Sequence, residues 1–175
     1  GTASQVAEKT GLPAWLRPAV GGLLVGTIAL ELPHVLGVGY EATDMALNGQ
    51  LTLTFLILLV AAKIVATAIS LGCGFGGGVF SPSLFIGAMT GGAFGIVATS
   101  VFPELSSGHA AYTLIGMGAV AGAVIGAPIS TILIVFELTG NYAITVAVMV
   151  ATVLASLITR YLFGHSFFSW QLHKR

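Results

Sequence analysis

The stretch Leu71-Gly-Cys-Gly-Phe-Gly-Gly-Gly-Val-Phe-Ser-Pro-Ser-Leu-Phe85 concentrates the residue types that could do chemistry. Gly72, Gly74 and Gly77 fit the spacing of a dinucleotide-binding loop. That loop needs a strand before it, a helix after it and an acidic residue about 20 positions on. Here a long apolar run rich in Ala and Leu precedes it, and no acidic residue follows before Glu104, so nucleotide binding is rejected. The stretch reads better as a helix start, with Ser81 as N-cap and Pro82 at the first helical position. Gly76, Gly77 and Gly78 would supply the backbone freedom to approach it. A helix start presents unpaired N–H groups and a partial positive charge, so it attracts anions. No Lys or Arg lies nearby in sequence. An anion held by amides alone is held loosely, which suits a site that must both bind and release. A glycine-rich bend that merely joins two helices accounts for the same residues equally well on local chemistry.

The elements that must position this stretch are apolar. The 175 residues are 56% hydrophobic and 7% charged, with mean hydropathy +1.01. A soluble domain carries about 25% charged residues, so much of this surface must face lipid. From Ile64 through Pro103 there is no charged residue, and between Glu104 and Arg160 only Glu137. Six hydrophobic segments follow: Ala14–Leu36, Leu51–Leu71, Pro82–Phe102, Ala110–Ile125, Ile129–Leu138 and Ala143–Phe163. A spanning helix needs about 20 apolar residues, which the second, third and sixth supply. The fourth is marginal at 16 residues, and the fifth, at 10, reaches only halfway. A helix can stop inside a bilayer only where protein or a polar cavity satisfies its end, and transporters place such ends at the substrate.

Gly87, Gly91 and Gly95 recur every four residues, as do Gly118, Gly122 and Gly126. Such stripes let helices approach closely, and they point to tight packing rather than chemistry. Net charge is zero, which argues against nucleic acid. The lone Cys73 excludes an intrachain disulfide framework, and no Cys/His cluster has zinc spacing. The first residues do not read as a secretory signal. His173-Lys174-Arg175 favour a cytoplasmic end, and Trp15 and Trp170 suit membrane interfaces. Glu137 reads as structural, near the aqueous edge of its segment. Lys63 and Glu31 are each lone, and each could pair across helices or snorkel; Arg160 reaches the interface. An intramembrane hydrolase would need a base near Ser81, Ser83 or Ser130, but His34, His109 and His165 fall at segment ends or in loops. A cation-coupled transporter would want acidic groups that the central segments lack.

Several motifs in order resemble one family. Gly78-Val79-Phe80-Ser81-Pro82 resembles the G-[IV]-F-x-P signature of CLC chloride channels and chloride/proton antiporters. Ala127-Pro128-Ile129-Ser130-Thr131, Val135-Phe136-Glu137-Leu138-Thr139-Gly140-Asn141-Tyr142 and Phe167-Phe168-Ser169-Trp170-Gln171-Leu172 are similar to the same family. The resemblance implies an all-α membrane protein, a bundle of tilted and partly broken transmembrane helices forming the second inverted repeat of a CLC-type fold. It implies residues 1–175 as the C-terminal portion of the transmembrane domain, in a bacterial inner membrane. The function implied is transmembrane chloride transport in a homodimer, without catalysis, cofactor or metal. Alternatives are an inactive or structural fragment, or transport of another small anion.

The resemblance further implies that the amides of Val79 and Phe80 hold a central chloride, and those of Phe80 and Ser81 an external one. Gly77, Gly78 and Pro82 would shape the helix start. Phe168 stands where the family has a Tyr whose hydroxyl reaches the central ion, so it is carried over only as a pathway-lining position. The family's gating glutamate motif G-[KR]-E-G-P and its G-S-G-x-P motif do not occur, so the rest of the pore is expected from a preceding part of the parent.

Overall fold

The computed structural model describes Pro13, residues 15–105, residues 107–164 and Ser166. Among the described residues the fold is all-helical: α1 (Arg17–Glu31), α2 (Tyr40–Leu47), α3 (Leu53–Gly72), α4 (Phe80–Val101), α5 (His109–Ile125), α6 (Pro128–Thr139) and α7 (Tyr142–Phe163). Short 3-10 turns at Pro33–Val35 and Pro103–Leu105 join them. Among the described residues three helices, α3, α4 and α7, are long and apolar enough to cross a membrane. These are the three segments whose length predicted it. The half-length segment is α6, at 12 residues. Pro128 opens it and Gly140 ends it. The next helix starts at once because Asn141 Oδ1 accepts from the Ile144 N–H at 3.2 Å.

The centre of the bundle is the pairing of α4 with α5. A Cβ on Gly87 would lie 2.5 Å from the Gly116 carbonyl oxygen and 2.8 Å from Met117 Cα. A Cβ on Gly116 would lie 2.6 Å from Gly91 Cα. The Gly87/Gly91/Gly95 stripe therefore lets two backbones touch, as its spacing implied, and its partner is Gly116 with Tyr112. The second stripe divides. Gly118 and Gly122 receive Val148 and Thr152 of α7. Gly126 is not part of the helical face: it ends α5 in the left-handed conformation at φ 75°.

One core cluster joins Ala42 and Ala46 of α2, Leu56 and Leu59 of α3, and Phe85 and Met89 of α4. A smaller one joins Ile132 and Val135 of α6 to Val148 of α7. The outer face of α7 stays apolar and exposed, with Val150, Leu154, Leu157 and Tyr161 uncovered. Exposed apolar area on this scale suits contact with lipid or another protein.

Candidate functional site

Helix α4 begins at Phe80, and Val79 is its N-cap, with φ −86° and no side-chain cap. Ser81 therefore does not cap the helix, and Pro82 occupies the third helical position rather than the first. The reason is local. The Val79 carbonyl accepts both the Ser83 N–H at 3.0 Å and the Ser83 hydroxyl at 2.6 Å, which closes the first turn two residues early. Pro82 is tolerated because first-turn N–H groups have no intrahelical acceptor to lose. The Ser81 hydroxyl is buried without a partner among the described residues.

The consequence for binding is direct. Among the described residues, the N–H groups of Val79, Phe80 and Ser81 donate to no acceptor. Three consecutive free donors thus sit at the positive end of a 22-residue helix. Val79 is buried and Phe80 partly exposed, while Ser83 and Phe85 anchor the turn in the core.

The glycine run behaves differently from expectation. Its left-handed residue is Gly74, at φ 85°, whereas Gly76, Gly77 and Gly78 keep negative φ. A Cβ on Gly76 or Gly77 would meet nothing within 4 Å. Their contribution is open space beside the amides, not unusual backbone angles.

A cavity of about 200 Å³ flanks this start, lined by Gly77, Gly78 and Pro82 together with Gly37, Lys63 and Phe75. Among the described lining residues, Lys63 of α3 carries the one charge. Among the described residues Lys63 pairs with no carboxylate, and its buried side chain does not snorkel. Its Nζ donates to the carbonyls of Val35 at 2.7 Å and Gly37 at 2.8 Å, and lies 4.9 Å from the Phe85 ring centroid. A signal for this existed in the sequence. Leu56, Leu59, Lys63 and Ala66 fall at helical spacing on one face, and that whole face is buried.

The remaining candidates separate from this site. Glu137 and Glu31 are exposed near helix ends. Arg160, in the last turn of α7, lines a second cavity of about 170 Å³ with Pro128, Ser156 and Ser166. Among the described residues no group of His, Cys, Asp and Glu could hold a metal. Phe168, Trp170, His165 and His173 to Arg175 lie outside the described residues.

A family model described as voltage gated chloride channel matches residues 2–160. The chain is 38% identical to the chloride channel protein CLC-f of Arabidopsis thaliana over 86% of its own length and 21% of that protein. It is 34% identical to the H(+)/Cl(-) exchange transporter ClcA of Vibrio cholerae over 89% of its own length and 33% of that protein. It therefore spans about a third or less of the length of these two relatives. The X-ray crystal structure of a slow cyanobacterial Cl-/H+ antiporter superposes with TM-score 0.70 at 24% identity, over 92% of this chain and 46% of that one.

Proposed function

This chain belongs to the voltage gated chloride channel family, and from that premise we propose that it supplies one wall of a chloride pathway in a multi-pass membrane protein. The observation that carries this reading is the start of α4, where the amides of Val79, Phe80 and Ser81 are unclaimed among the described residues. Such a start binds an anion through backbone donors and the helix dipole, and it replaces part of the ion's hydration shell. No bond is made or broken. Neutral donors give a shallow well, and a shallow well allows release.

The parent protein supplies the other wall, with these residues as the C-terminal portion of its transmembrane domain. Phe168 lines the pathway without donating a hydrogen bond to the ion. The parent is a homodimer in the bacterial inner membrane, and the exposed apolar faces of α6 and α7 face lipid or the second copy. In support, the relatives named above are a chloride channel protein and an H(+)/Cl(-) exchange transporter.

Flux through the parent protein in liposomes tests the reading. Gly78→Val places a branched side chain beside the free amides, and chloride flux should fall sharply. Flux like that of the unaltered protein would reject the site.

A further inference from the structure

Lys63 lies near the middle of α3 with only 4% of its surface exposed. Two backbone carbonyls and one aromatic face fix its ammonium group. All three partners are neutral. No described carboxylate pairs with it. Dipoles share a buried charge without cancelling it, and a buried charge favours a nearby counter-charge.

Lys63 lines the 200 Å³ cavity at the start of α4, and among the described residues of that lining it alone carries a charge. Thr67, one turn beyond Lys63, borders the same space. Ser70 also borders it, and its hydroxyl donates to the Ala66 carbonyl at 2.8 Å. Gly77, Gly78 and Pro82 bring the positive end of α4 to the same lining. The fixed charge and the helix dipole therefore act on this space with the same sign.

We propose that this cavity is a second anion site, which takes a small monovalent inorganic anion with Lys63 as its counter-charge. The carbonyl contacts hold the ammonium still, and the anion sits beside it without displacing them. Thr67 is placed to donate its hydroxyl to the ion. The inference shares with the amide cradle the premise that anions reach this region. It uses groups on α3 and does not need the N–H groups of Val79 to Ser81.

Crystals of the parent protein soaked in bromide test it, with Lys63→Gln and Lys63→Arg alongside the unaltered chain. Gln keeps donors for the carbonyls and removes the charge; Arg keeps the charge. The expected result is a bromide peak in the cavity of the unaltered protein that persists in the Arg variant. In the Gln variant, affinity from a bromide titration should drop roughly tenfold or more. An empty cavity in the unaltered protein overturns the proposal. So does a carboxylate from the rest of the parent seated on Nζ, or equal bromide binding in the Gln variant. If neither variant folds, the unaltered protein alone decides, by a filled or an empty cavity. Bromide at the amides but not in the cavity sinks only this proposal, and the reverse pattern sinks only the amide cradle.

Discussion

The Nζ of Lys63 lies 2.7 Å from the carbonyl oxygen of Val35, and this contact ties the middle of α3 to the turn that precedes α2. The same ammonium reaches Gly37 and the Phe85 ring, so one side chain joins α3, the turn and α4. Lys63→Met removes both hydrogen bonds and leaves two carbonyls without their donor. Each bond to a charged group contributes about 1.5–3 kcal/mol, so the variant should lose several kcal/mol. Thermal unfolding of the parent in detergent should show a clear drop, and an unchanged midpoint would contradict the clamp.

Gly116 should tolerate no side chain. Its Cβ would fall 2.6 Å from Gly91 Cα, which is backbone and cannot rotate away. Gly116→Ala should destabilise by about 1–3 kcal/mol, the usual cost of overpacking. Gly26 is the control: it lies within α1 with nothing inside 4 Å of its Cβ position. Gly26→Ala should be neutral or stabilising by up to about 1 kcal/mol. Similar losses for both would mean that α4 and α5 do not meet as described.

Ser81→Ala distinguishes the observed helix start from the one its sequence suggested. An N-cap serine would cost about 1 kcal/mol on replacement. Here Val79 is the cap and the Ser81 hydroxyl has no partner among the described residues, so stability should change by less than about 0.5 kcal/mol. Chloride affinity should also hold, because the proposed donor is the backbone N–H. A large loss of stability would show that Ser81 caps the helix after all.

Asn141 is a true cap. Its side chain accepts from the Ile144 N–H as α7 begins. Asn141→Ala should cost about 1 kcal/mol, and Asn141→Asp should keep most of it. Denaturation of the parent in detergent reads both, and equal losses for the two would contradict the cap.

Length and apolarity made most of the bundle legible. The three spanning helices and the half-length α6 stand where hydrophobic runs predicted them, within three residues at each end. Helix α2 was not legible. It is short and polar, carries Glu41 and Asp44, and buries only Ala42 and Ala46. Two alanines make too weak a stripe to announce a helix. The start of α4 was visible as a place, but its phase was set by Ser83 bonding twice to Val79, a preference that the nearby Ser81-Pro82 pair concealed. Gly126 shared the spacing of a packing stripe, yet the helix ends there, and spacing alone does not report where a helix stops. Lys63 sits 17 residues before Phe80, so only tertiary folding brings its charge to the cavity.

The central claim is that backbone N–H groups at the start of α4, rather than side chains, hold the anion. Replacing Phe80 in the parent by its α-hydroxy acid turns one amide into an ester, removing that N–H while keeping the ring. Chloride binding measured by titration calorimetry should weaken by about ten- to a hundredfold, whereas Phe80→Leu should change it little. Full affinity in the ester protein, with loss in the Leu variant, would contradict the account.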